Sequence, residues 1–400
     1  MGRKVMICYM KGKKSLIITV AVTALVTSLL TSATKDVILA SNMGVSLQKI
    51  TMVKKMLCDY SLFDVDEEKV ADYASMAMAA AVDDPYTVYY PKEEFSSYKD
   101  NIMSTYVGIG ATLGANTEKN QLVVVSPMED SPAEKSGLKS GDEIIAIDGK
   151  QYEASQLSEA ASYLKKGEEG SNVVITIKRD GKEFDIKITR EKIIKNSVKS
   201  KMITGDVGYL RITDFESKSD NTSKNTYDEF CEHLSALQTA GMKKLVIDLR
   251  DNPGGDLNVV CNIADVLLPK GLITYTEDKH GKRMTVNSDE KCVDVPIAVL
   301  VNGGSASASE VLTGALKDNG KAVVVGTKTY GKGIVQTVYP FTDGSGMSVT
   351  TAKYYTPSGV CIHKIGIEPD IMVEAVSDKA ISELTIEEDA QLKKALEVLK

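Results

Sequence analysis

Apolar and polar positions change their period along the chain. From residue 43 to 104 apolar residues recur at helical spacing: Leu47, Ile50, Val53 and Leu57 form one set, Val70, Tyr73, Met76 and Ala80 another. Asp84-Pro85 then reads as a helix stop. From 105 to 190 the pattern shortens to strands. Gln121–Val125 is an apolar run, and Asp142-Glu-Ile-Ile-Ala-Ile-Asp-Gly149 is a strand entering a turn. Ser131-Pro132 predicts a capped helix start that closes at Gly137. Val173–Lys178 and Phe184–Ile188 flank Arg179-Asp-Gly-Lys182, a hairpin signal. From 191 to 380 unbroken apolar strands (Lys244–Leu249, Ile297–Val301, Ala322–Gly326) alternate with helical stretches such as Tyr227–Ala240. That alternation predicts an α/β layer buried on both faces. Residues 381–400 read as a closing amphipathic helix rich in Glu and Leu.

The N-terminus carries a different signal. Residues 1–14 hold Arg3, Lys4, Lys11, Lys13 and Lys14 and no acid, whereas residues 15–34 hold no charge. Twenty helical residues span about 30 Å, the thickness of a bilayer core. A retained signal anchor is the expectation. The dense part, Leu16–Leu30, also fits a signal peptide cleaved near Ser32-Ala33. Either way the basic flank stays inside, and everything beyond about residue 35 is exported.

Bulk composition narrows the classes. With 400 residues the chain exceeds one ordinary core. A net charge of −7, few aromatics and no Trp argue against nucleic acid as a partner. The six cysteines form no CxxC and are expected as buried small hydrophobes. Three scattered histidines offer no metal cluster, so neither a metal nor another cofactor is expected.

Three strings carry candidate chemistry. Asn302-Gly-Gly-Ser-Ala-Ser-Ala-Ser-Glu310 follows a buried strand and opens a helix, where N–H groups and the helix dipole converge to help an alkoxide and the oxyanion that follows. It also reads as an ordinary serine-rich cap. In Tyr330-Gly-Lys-Gly-Ile-Val-Gln-Thr337, extended backbone would put Lys332, Ile334 and Gln336 on one face. A lysine in an apolar site becomes a base near neutral pH, and Gln336 could fix its nitrogen. Asp251-Asn-Pro-Gly-Gly255 permits close backbone approach and is a second source of oxyanion donors, or a plain tight turn.

These strings resemble those of the carboxyl-terminal processing (tail-specific) serine proteases. So do Asp84-Pro-Tyr-Thr-Val-Tyr-Tyr90, Tyr355-Thr-Pro-Ser-Gly359 and Ile365-Gly-Ile-Glu-Pro-Asp370. The order of elements over 105–190 resembles a PDZ domain. The resemblance implies an N-terminal helical segment over 43–104 and a PDZ-like β domain over 105–190, inserted before an α/β Ser-Lys peptidase core over 191–380. It implies Ser307 as nucleophile, Lys332 as general base and Gln336 as its partner. Oxyanion donors fall on the backbone of Ala308, Gly254 and Gly255. Asp318, eleven residues along the helix and about 16 Å from Ser307, is expected to be structural.

By analogy with PDZ domains, Val107, Gly108, Ile109 and Gly110 are placed to bind a peptide C-terminus. Lys166 stands where certain relatives carry an Arg that senses the carboxylate. The expected partners are protein or peptide substrates and the membrane, and the helical ends are compatible with a homodimer. Two readings compete: a hydrolase using His363 as base, and a peptide-binding scaffold without catalysis.

Overall fold

The structure, a computed structural model, describes residues 44–102, 105–128, 131–165, 167–194, 196–218, 223–376, 379, 381 and 384–400. The basic flank and the expected anchor at 15–34 lie outside these residues. Among the described residues no helix is long and apolar enough to cross a membrane.

The chain divides into two compact units, split in sequence between Met78 and Ala79. In the first, helices Gly44–Tyr60 and Glu67–Ala80 follow the predicted helical spacing, and Lys54 pairs with Glu67 at 2.8 Å. Leu47, Ile50, Val53 and Leu57 are exposed.

In the second unit, five antiparallel strands run in spatial order Ala111–Asn116, Gln121–Pro127, Glu143–Ile147, Asn172–Arg179, Lys182–Thr189. Alternation sets the inner face: Val173, Ile175 and Ile177 are fully buried, together with Ile186 and Ile188 of the next strand. The hairpin closes with Arg179 opposite Lys182, and Asp180 and Gly181 both take positive φ, as a tight primed turn requires. Ser131 caps the short helix Pro132–Lys135, as the sequence predicts. A second helix, Leu157–Lys165, packs its Ala160 and Leu164 on the sheet. This domain is joined through a two-stranded stem, Thr105–Gly108 with Glu191–Ile194.

The remaining core has two sheets. Six strands run in spatial order Ile371–Met372, Ala322–Gly326, Ile297–Val301, Lys244–Asp248, Val207–Ile212, Val198–Thr204, parallel except for the last pair. Leu245, Ile247 and Val299 face helices Thr226–Thr239, Leu257–Leu267 and Ala308–Asp318. Val246, Ala298 and Leu300 face the C-terminal helix. Burial on both faces explains the unbroken apolar runs. The second sheet pairs Gly346–Tyr355 with Ile334–Pro340, Gly271–Asp278 and Val88–Tyr90.

Three expectations change. The segment 43–104 is not wholly helical: Val88–Tyr90 is a strand, and the helix Lys92–Ile102 after it buries Phe95 against Gly346. A three-residue strand has too few positions to show a period, and its pairing comes from more than 250 residues downstream. The C-terminal helix is limited to Ala390–Val398. Asp389 caps it and also binds buried Arg250, which pairs with Asp248 as well. Of the cysteines only Cys261 is buried; Cys58 is exposed, Cys231, Cys292 and Cys361 are half-buried, and Cys8 lies outside the described residues.

Candidate active site

Strand Ile297–Val301 runs into a turn that delivers Ser307 to the start of helix Ala308–Asp318. Ser307 has φ 55° and ψ −115°, a region that non-glycine residues occupy only when their surroundings impose it. Its neighbours differ from it. The Ser305 hydroxyl donates to Leu249 O at 2.8 Å and the Ser309 hydroxyl to Asn252 O at 2.9 Å, and both residues are fully buried. Ser307 is half-buried. The two flanking serines bind this loop to the one at 249–252, and the middle one is partly exposed.

Glu310, fully buried, organises the turn. Its Oε2 accepts the N–H of Ser307 at 2.9 Å and of Lys332 at 2.8 Å. Its Oε1 accepts the Gly331 N–H at 2.8 Å and the Thr329 hydroxyl at 2.6 Å. Buried carboxylates are tolerated when every lone pair is matched this way. On the other side the Tyr354 hydroxyl donates to Ser307 O at 2.9 Å and also contacts Lys332 O. Desolvation pushes that phenol well above its ordinary pKa, so it remains a donor.

Lys332 sits between Gly331, at φ 90°, and Gly333, where a Cβ would lie 2.4 Å from His363 N. Burial pulls its ammonium below the ordinary lysine pKa, and the Asp84 carboxylate opposes this. Its Nζ lies 4.4 Å from the centroid of the Tyr86 ring. Gln336 is not brought to that nitrogen: its amide donates to Thr350 Oγ1 at 3.3 Å. Regular strand begins only at Ile334, and the ladder shifts register between Val335 and Gln336, which breaks the alternation that sequence spacing assumed.

The Gly-Gly turn lies against the serine. A Cβ on Gly254, at φ 108°, would fall 2.7 Å from Ser307 Cβ and 2.9 Å from Ala308 N. Gly255, at φ 143°, has no room for one beside Phe215 O, at 2.1 Å. Gly254 N–H already donates to Asn252 Oδ1 at 2.9 Å. Ala308 N–H, at the first turn of the helix, faces the space beside Gly254 and is the better placed donor.

Asp318 closes the helix and accepts the Ser358 N–H at 2.9 Å, a structural role. His233 bonds Ser200 Oγ at 2.8 Å on the edge strand, and His280 lies in a hairpin turn. His363 packs behind Gly333; burial and nearby Lys364 and Lys353 lower its pKa. In the five-stranded domain a groove of about 350 Å³ runs between strand Ala111–Asn116 and helix Leu157–Lys165. Ile109 and Gly110 line it, with Tyr106, Leu113, Leu157 and Leu164. Val107 and Gly108 instead pair in the stem, and Lys166 lies outside the described residues; Lys165 lines the groove.

Sequence reasoning gave no role to Tyr354 or Tyr86. Neither sits near Ser307 or Lys332 in sequence, and only the second sheet brings them there. Glu310 closes the serine string in sequence, but nothing there marks its four donors.

Residues 206–373 match the model of Peptidase family S41, and residues 107–189 that of the PDZ domain. CtpA-like serine proteases of Staphylococcus aureus (strain COL) and Staphylococcus saprophyticus are 37% and 34% identical, over 82% and 94% of this chain. The chain spans 65% of the length of the former and 76% of the latter. The structure is similar to the photosystem II D1 C-terminal processing protease: TM-score 0.50, 30% identity, covering 81% of this chain and 86% of that one. An S41 protease from Bacteroides fragilis shares the fold at TM-score 0.55 and 17% identity, covering 87% of this chain and 96% of that one.

Proposed function

We propose, from the premise that the chain belongs to peptidase family S41 and its carboxyl-terminal processing serine proteases, that it is a Ser-Lys endopeptidase acting on extracytoplasmic proteins. The observation that carries this reading is the convergence of the Ser307 and Lys332 backbone N–H groups on one carboxylate oxygen of Glu310, with Ser307 alone of its three serines partly exposed.

Neutral Lys332 takes the Ser307 hydroxyl proton as Oγ attacks the scissile carbonyl. The Ala308 N–H, with the Gly254-Gly255 turn packed beside it, holds the oxyanion at the positive end of helix Ala308–Asp318. The tetrahedral intermediate collapses as the Lys332 ammonium protonates the leaving amine. Water, deprotonated by Lys332, then releases the acyl group from Ser307. Gln336 bonds Thr350, whose N–H holds Thr87 in the turn beside the base.

The groove lined by Ile109 and Gly110 takes the substrate C-terminus as an added strand, with Leu113, Leu157 and Leu164 favouring apolar side chains at alternate positions. The segment 15–34 holds the enzyme at the membrane, or exports it if cleaved, with the catalytic part outside the cytoplasm. The test is cleavage of an unfolded protein by the purified chain, with a paired peptide bearing a free or amidated C-terminus. Cleavage, faster for the free carboxylate, is expected. Absence of cleavage excludes the peptidase, and equal rates for the pair exclude tail recognition.

A further inference from the structure

The turn Asp84–Thr87 lies against the candidate base although no catalytic role falls to it in the mechanism above. Its shape is set locally. Asp84 Oδ1 accepts the Tyr86 N–H at 3.2 Å, Oδ2 accepts the Thr87 hydroxyl at 2.7 Å, and the Thr87 N–H closes onto Asp84 O at 3.2 Å. Pro85 between them fixes one φ. The turn is then pinned to the second sheet, where Thr350 N–H donates to Thr87 Oγ1 at 3.2 Å and Val88–Tyr90 pairs with Gly346–Ser348. What this construction delivers is the Tyr86 ring, 4.4 Å from Lys332 Nζ, with Tyr330 near its hydroxyl.

We propose that Tyr86 is a positioning residue for the general base: its ring holds the Lys332 side chain in place and shields the nitrogen from water. The proposal rests on Lys332 being the base. A lysine flanked by two glycines has no neighbouring side chain to limit its four flexible bonds. A ring face within 6 Å occupies the volume that water would take, which disfavours the charged form; its attraction for the ammonium acts the other way, and at Lys332 desolvation is the larger effect.

The other groups around Lys332 are accounted for. Glu310 and Tyr354 hold its backbone. Asp84 is the anion that favours the charged form, while His363 packs on Gly333, Lys364 bonds Gly331 through its backbone, and both Lys364 and Lys353 act on the His363 ring. Tyr330 lies near the Tyr86 hydroxyl. The Tyr86 ring lies over the nitrogen itself.

The test is the rate at which a fluorophosphonate labels Ser307 in the full chain, as a function of pH, for the parent, Tyr86→Phe, Tyr86→Ala and Lys332→Ala. Tyr86→Phe keeps the ring and should keep the parent's limb. Tyr86→Ala should move the limb alkaline by about one unit, with about tenfold slower labelling below it and recovery above it. A folding defect would not recover with pH, and thermal melting checks for one. A Tyr86→Ala limb identical to the parent's, a loss equal at every pH, or a Tyr86→Phe defect as large as that of Tyr86→Ala would each overturn the proposal. Lys332→Ala labelled at the parent's rate would remove the base assignment, and the role of Tyr86 with it.

Discussion

Ser307 and Lys332, 25 residues apart in sequence, hang from the same oxygen: both backbone N–H groups donate to Glu310 Oε2, at 2.9 and 2.8 Å. Neither loop can shift alone without breaking that bond. Glu310→Gln replaces one acceptor oxygen by a donor and leaves buried N–H groups facing an NH₂. A buried donor left unpaired costs about 1–3 kcal/mol. The expected result is a folded protein with a lower melting temperature and cleavage reduced on the order of 10- to 100-fold. Parent-level activity would show that the shared carboxylate does not set the site.

The three serines of the 305–309 string should separate. Ser309→Ala removes one buried hydrogen bond, about 1 kcal/mol, and Asn252 O keeps a second donor in Ala306 N–H; Ser305→Ala removes two, the donation to Leu249 O, which keeps Asn252 N–H, and the acceptance of Asn302 N–H. Both variants should melt earlier and retain most cleavage, and Ser307→Ala should retain none. Melting curves beside cleavage rates make the comparison.

Lys332→Met should be inactive and more stable than the parent at neutral pH. Burial lowers the folded-state pKa of Lys332 below its unfolded value, with Asp84 opposing. Between those two values the unfolded chain binds a proton that the folded chain lacks, so parent stability rises with pH across that window. The stability gain from Met should therefore be full below the folded pKa and vanish towards the ordinary lysine value. Cleavage by the parent should rise with pH along a single limb placed below that value. Denaturant melts and rate profiles across pH report both.

Gly254→Ala should abolish cleavage. Its new methyl would press on Ser307 Cβ at 2.7 Å and Ala308 N at 2.9 Å, filling the space assigned to the oxyanion, at a φ that disfavours side chains. Gly303, in the next loop with nothing within 4 Å of its Cβ position, is the control, and Gly303→Ala should cleave like the parent.

The fold was legible wherever a period was long enough to count. Runs such as Ile297–Val301 and the Asp180-Gly181 hairpin kept their predicted form, because burial on two faces and turn geometry are local signals. Val88–Tyr90 was not legible, since its partner, Gly346–Ser348, is distant in sequence. The C-terminal helix was overextended because a Glu-Leu pattern marks periodicity but not the tie of Asp389 to Arg250 that sets its start. In the site, the serine and lysine strings stood out by residue type and order. The placement of Gln336 did not follow from alternation, because one register shift in the ladder breaks the period. Tyr86 and Tyr354 act through position alone, and position is a property of the sheet.

The most direct measurement is peptide mapping by mass spectrometry after fluorophosphonate labelling of the full chain, with cleavage followed in the same samples. The account predicts one adduct, on Ser307, in the parent. It predicts no adduct and no cleavage for Ser307→Ala, and neither for Lys332→Arg, whose guanidinium keeps the charge but cannot take a proton. An adduct on Ser305 or Ser309, or sustained cleavage by Ser307→Ala or Lys332→Arg, would contradict it.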